Sequence, residues 1–216
     1  MRSLKLDPGP LTLLCLGAHA DDIEIGAGGT VLSLLESRPD ARVHWVVFSA
    51  AGERKAEAEA CAQAFLGRAG ARDISIHDFR DGFFPADWGR LKETFEALKR
   101  KVRPTLILTH HGRDAHQDHR AVSELAWNTF RDHLILEYEI PKYDPDLGNP
   151  GLFVPLSEAQ ARTKIDALMT HFKSQHARRW FAPSTFEALM RLRGMQAASP
   201  TGLAEAFYAP KFLLEP

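Results

Sequence analysis

What this sequence has little of narrows its class first. Two cysteines in 216 residues cannot build a disulfide framework, and a chain of this length buries enough apolar surface to need none. Cys15 sits in an apolar strand-like run and Cys61 in an alanine-rich helical pattern, so both read as buried thiols of a reducing compartment. A formal net charge of -1 with 25% charged residues leaves no electrostatic footprint for a nucleic acid or a membrane surface. No apolar run approaches the ~18 residues that a spanning helix needs. The start, with Arg2 and Lys5 ahead of "LTLLCLGA" and "AHA", imitates a signal peptide. However, "DPGP" at 7–10 breaks the passage from basic to apolar segment, and cleavage would discard the first strand and its histidine. The expectation is a cytoplasmic protein without a membrane span. Internal repeats and low-complexity tracts are lacking too.

What is there is an alternation. Apolar, strand-like runs occupy 11–18, 42–50, 73–79, 105–110 and 134–140, and their mostly continuous apolar character suits strands covered on both faces. Helical stretches lie between them, at roughly 26–37, 53–67, 88–102 and 116–131. In the third, Leu91, Phe95, Leu98 and Val102 line one face. The pattern predicts an α/β fold, a doubly wound, mostly parallel sheet with right-handed crossovers. After the fifth strand come a proline-, glycine- and aspartate-rich loop at 141–155 and two helices. Capping boxes announce them, Ser157 with Gln160 and Ser184 with Glu187. The length of the loop favours one that faces a substrate. We expect a single domain over 1–216, with a sheet core at about 10–140 and a C-terminal helical and loop extension at about 141–216.

Two strands end in costly side chains. The first runs into "AHADD" and the fourth into "THHGRDAHQDH". In a doubly wound sheet the two strands are neighbours at the topological switch point, where ligands bind beyond the carboxyl ends. Together they supply His19 and Asp22 from one loop and His119 from the other. Two imidazoles and a carboxylate suit zinc, and three protein ligands leave a fourth position for water, as in catalytic sites. Asp21 could then accept the water's proton. His116 sits one turn before His119 and could stabilise an oxyanion or protonate a leaving amine, oriented by Asp118 or Asp114.

Plainer roles compete. Asp114 could cap the fourth helix, and His110 and His111 could support the loop rather than ligate. His44 and His77 read as core or edge histidines. The glycines of "GAGG" at 26–29 suggest a dinucleotide fingerprint, but the spacing is wrong and two carboxylates in the turn would repel a pyrophosphate. Close helix packing explains them better.

"AHADDIEIGAGGT" followed by "HQDHRAV" resembles the PIG-L/LmbE family of metal-dependent de-N-acetylases. The likeness extends through "GERKAEAEACAQAFLG", where Arg54 and Glu57 match a pattern common in the family, to "HFKSQ". The resemblance implies a Rossmann-like fold in which His19, Asp22 and His119 hold zinc, iron or another divalent metal. It makes Asp21 the general base and His116 the acid or intermediate stabiliser, oriented by Asp118. It implies release of an N-acetyl group from an amino sugar or GlcNAc conjugate, and a homo-oligomer. Ala20 departs from the family's usual proline, which removes a constraint on φ but no functional group. Residues 162–193 hold an excess of Lys and Arg. Arg191 and Arg193 are the candidates for binding an anionic group on the substrate, and Arg54 is a further substrate-binding candidate.

Overall fold

The computed structural model describes residues 3–213, so Arg2 lies outside the described residues. Each of the five expected strands forms: β1 (Thr12–His19), β2 (Arg42–Ser49), β3 (Ala71–Ile76), β4 (Leu106–His110) and β5 (Ile135–Tyr138). The intervening helices are α1 (Asp22–Ser37), α2 (Glu53–Phe65), α3 (Trp88–Lys101) and α4 (Gln117–Thr129). After β5 follow β6 (Leu152–Pro155), α5 (Glu158–His171), α6 (Pro183–Gln196) and β7 (Ala204–Tyr208). The sheet order is β3-β2-β1-β4-β5-β7-β6. All pairs through β5 are parallel. β1 and β4 are side by side, Leu13 against Leu106 and Cys15 against Leu108, so the chain reverses its direction of winding between them.

Period-2 side-chain alternation divides the apolar run of β1 between two cores. Leu13 and Cys15 face the helices α1, α2 and α5, whereas Leu14, Leu16 and Ala18 face α3 and α4. Both cysteines are buried free thiols. No helix among the described residues is long and apolar enough to cross a membrane.

Three expectations change. The segment 141–155 is not wholly irregular, and the extension is not only helices and loops. Leu152–Pro155 pairs antiparallel with β7, which pairs antiparallel with β5. Four residues are too few to show alternation, and Pro155 is tolerated because β6 is the sheet edge. The Ser157 box is present, with Gln160 N–H donating to Ser157 Oγ at 3.2 Å and Ser157 N–H to Gln160 Oε1 at 2.9 Å. The Ser184 box is not. α6 starts one residue earlier on Pro183, whose fixed φ suits the first helical position, and has no side-chain cap. Finally, α1 begins at Asp22 rather than near 26.

The glycines of α1 do serve packing. A Cβ on Gly26 would collide with the Tyr138 ring, one on Gly28 with Phe65, and one on Gly29 with Leu156. The helix therefore settles close to the sheet, where Tyr138 Oη donates to Leu16 O at 2.6 Å. A buried ion pair locks the same flank. Lys164 Nζ donates to Glu205 Oε1 and to Ile25 O, both at 2.6 Å, while Glu205 accepts from Gly29 N and Thr30 N. Removing one partner of such a pair costs about 3–5 kcal/mol. Gly26→Ala should lower stability by about 1–3 kcal/mol through overpacking, measured by denaturant unfolding. An unchanged midpoint would mean that the Tyr138 ring yields freely.

Candidate metal centre

β1 ends at His19, and the chain must turn at once into α1. Asp21 makes that turn at φ 96°, a left-handed conformation without a glycine, which costs roughly 1–2 kcal/mol. Its side chain makes no cap hydrogen bond, so helix capping does not explain it. Arg54 of α2 fastens the turn instead. Its guanidinium donates to Ala20 O and lies 3.3 Å from Asp21 Oδ2. The carbonyl of the residue that replaces the family's proline is thus held by a side chain.

Three of the expected residues converge. His19 Nδ1 is 3.3 Å from His119 Nε2 and 3.4 Å from Asp22 Oδ2, and His119 Nε2 is 3.5 Å from Asp22 Oδ1. The opposite nitrogens face carboxylates. His19 Nε2 lies 3.1 Å from Asp118 Oδ2, and His119 Nδ1 lies 3.0 Å from Asp114 Oδ2, off the N–H axis. Carboxylates beside the outer nitrogens orient both rings. What points inward is a cluster of two ring nitrogens and a carboxylate, 3.3–3.5 Å apart. Two imidazoles and a carboxylate so placed are a donor set that fits the divalent cation the motif implies.

The charges couple the same groups. Burial alone would raise the Asp22 carboxyl, but His119 and His110 hold it well below the usual carboxylate range. Burial also opposes charge on His19, yet contacts with Asp118, Asp22 and Asp81 raise it well above an ordinary imidazole. His119 is lowered by burial and by His110 beside it. For Asp21, burial dominates and pushes the carboxyl up to about 7 against the pull of Arg54.

His116 is the N-cap of α4. Its Nδ1 accepts from Asp118 N–H at 3.2 Å, and its ring packs against His19 and His119 at 4.8 and 4.7 Å. The Asp118 carboxylate itself goes elsewhere. Besides His19, it accepts from Gly82 N at 2.6 Å and Phe84 N at 3.0 Å. Asp118 therefore touches His116 through its backbone amide, and Asp114 Oδ1 accepts from His116 N–H at 2.8 Å. Asp114 is no helix cap; it braces both histidines.

The basic candidates separate. Arg54 stands beside Asp21. Arg191 forms an exposed pair with Glu187 one turn away on α6. Arg193 is 2% exposed, and its guanidinium is taken up by Glu139 and Gly148 O. For Arg193 the expected substrate contact gives way to support of the loop at 141–148, because a buried cation must be paired where it lies. That loop grips the segment that leads into α4. Lys142 Nζ is 3.1 Å from Asp114 Oδ1 and also pairs with Asp146, which accepts from Ala115 N at 2.7 Å.

Sequence reasoning missed Asp81, whose Oδ1 lies 3.1 Å from His19 Nε2. The Asp-Gly turn chemistry of "RDGFFP" marks the loop, but nothing local ties it to a histidine 62 positions earlier. It also underrated His110. That ring is fully buried, stacks on His119 at 3.9 Å and sets Nε2 3.2 Å from Asp22 Oδ2, while accepting from Ala18 N–H. His111 is the loop support expected, with Nδ1 2.8 Å from Glu137 Oε2.

Residues 14–130 match the family model described as PIG-L, GlcNAc-PI de-N-acetylase. No curated protein matches the chain significantly. Among solved structures it is similar to a conserved protein from Thermus thermophilus, with 23% identity over 95% of this chain and 97% of that one, at a TM-score of 0.73. It is also similar to the N,N'-diacetylchitobiose deacetylase from Pyrococcus horikoshii, with 18% identity over 91% and 82% of the two chains, at a TM-score of 0.66. The 4-carboxy-2-hydroxymuconate hydratase of Pseudomonas putida has 19% identity over 95% and 98%, at a TM-score of 0.73. At these identities the likeness shows a shared fold, and that fold carries more than one chemistry.

Elemental analysis tests this donor set. Asp22→Ala and His119→Ala should lose the metal outright. Asp118→Ala, which frees the outer edge of His19, should weaken metal affinity about 10- to 100-fold. Affinity equal to the parent's in the Asp118 variant would show that His19 needs no outer partner.

Proposed function

Because the chain belongs to the PIG-L family of de-N-acetylases and is by that membership a hydrolytic N-deacetylase, we propose that it removes the N-acetyl group of an amino sugar or GlcNAc-containing conjugate. A divalent metal, zinc or iron, would be held by His19, Asp22 and His119. The observation that carries this reading is the convergence of two imidazole nitrogens and a carboxylate at the end of β1, with outer carboxylates beside both imidazoles.

When bound, the metal supplies Lewis-acid polarisation of the amide carbonyl and lowers the pKa of a water toward neutrality. The chain's own residues then handle the protons. Asp21, with its carboxyl pushed up to about 7, is matched to accept a proton near neutral pH. Arg54 holds that carboxylate and the Ala20 carbonyl, which keeps the base from turning away. His116 uses Nδ1 to accept from Asp118 N–H, so its neutral tautomer offers Nε2–H. That N–H can donate a hydrogen bond to the developing oxyanion, and the proton that Asp21 takes from the water can pass to the departing nitrogen. The carbonyl carbon gains the water oxygen, the C–N bond breaks, and acetate and a free amine leave.

A metal-dependent hydrolase of a non-sugar amide or ester would need the same site, so the substrate decides between them. The metal-loaded protein should release acetate from GlcNAc conjugates. Asp21→Asn should lower kcat by about 10²- to 10⁴-fold while keeping its metal. Acetate release from simple N-acetyl amides alone would move the assignment to a non-sugar substrate. An unaffected kcat in the Asp21 variant would remove Asp21 as the base.

A further inference from the structure

Between β3 and α3 the chain crosses directly over the metal centre, and its tip is held with unusual firmness. Gly82, at φ 80°, donates its N–H to Asp118 Oδ2 at 2.6 Å and accepts from Gln117 Nε2 at 3.1 Å. Phe84 N–H donates to Asp118 Oδ1 at 3.0 Å, and its ring is fully buried. Asp81 is engaged by His19. Between these fixed residues Phe83 is left 43% exposed. Its ring is covered on one side by the Arg80 guanidinium, 3.5 Å from the centroid. Phe83 follows Asp81 by two residues, so its backbone lies within about 7 Å of the residue that touches His19.

Arg80 differs from the other arginines near the site. Arg54 lies against Asp21, and Arg193 against Glu139, whereas the Arg80 guanidinium lies on the Phe83 ring and in no ion pair among the described residues. Stacking holds the guanidinium plane and leaves its N–H edges free, the geometry that receives a phosphate or carboxylate. A pinned loop and a stacked side chain have little freedom left to lose on binding.

We infer that Arg80 and Phe83 form a subsite at the rim of the metal centre for an anionic group, phosphate or carboxylate, carried on the anomeric side of the sugar conjugate, next to its acetamido-bearing carbon. The inference rests on the deacetylase reading for the word sugar, and its test is a binding measurement that does not depend on turnover. Metal-loaded protein is titrated by calorimetry with N-acetylglucosamine 1-phosphate and with methyl N-acetylglucosaminide. The parent should bind the phosphate about tenfold more tightly, and this preference should shrink as salt is raised. Arg80→Gln should bring the ratio close to one, Arg80→Lys should keep part of it, and Phe83→Ala should weaken both sugars. Melting curves check that each variant is folded. A parent without preference, or an Arg80→Gln protein that keeps it, would overturn the subsite. Acetate release from the same samples is read separately. Phosphate preference without acetate would leave the subsite standing and count against the deacetylase.

Discussion

The crowding of His19 Nδ1, His119 Nε2 and the Asp22 carboxylate within 3.3–3.5 Å is the constraint on which the surrounding structure depends. Three such groups keep this geometry only if their outer edges are held. Asp118 and Asp114 hold the outer edges, and each is held in turn. Asp118 is fixed by the amides of Gly82 and Phe84, and Asp114 by Lys142 and the amide of His116. Two loops distant in sequence are thereby stitched to the same pair of histidines. Apart from Asp81, which touches His19 itself, a substitution in either loop acts on the two histidines through Asp118 or Asp114 rather than by contact.

Such a site needs a stiff foundation, and the sheet supplies it. The ends of β1 and β4 are set side by side by parallel pairing between two buried cores. Glycines in α1 let the helix close on Tyr138, whose hydroxyl ties Leu16 O and lies 3.3 Å from His110 Nε2. The Lys164–Glu205 pair anchors the same helix from α5 and β7. The helix whose first residue is Asp22 is thus immobilised from its flank, which keeps the ligand's entry angle fixed. Burial has a second effect. It raises Asp21 toward neutrality while the histidines hold Asp22 charged, so adjacent carboxylates become chemically different.

Much of this was legible in the order of residues. Continuous apolar runs gave the strands, Ser157 and Gln160 gave a helix start, and the two histidine-bearing strand ends pointed to one crevice because doubly wound sheets bring strands one and four together. The misses share a cause. β6 was too short to show a period, and the Ser184 box lost to Pro183, one residue earlier. Asp81 and His110 are ordinary residues locally and become part of the site only through neighbours far along the chain.

The amino-acid sequence by itself determined the α/β plan and the two histidine- and aspartate-bearing strand ends that meet, because periodicity and residue chemistry are local properties. Tertiary structure alone decided which nitrogen of each histidine faces inward and that the Asp118 carboxylate serves His19 rather than His116. It alone decided that Arg193 is a buried brace while Arg80 stands free. Those outcomes depend on which groups lose water together, and burial is settled only when distant segments pack.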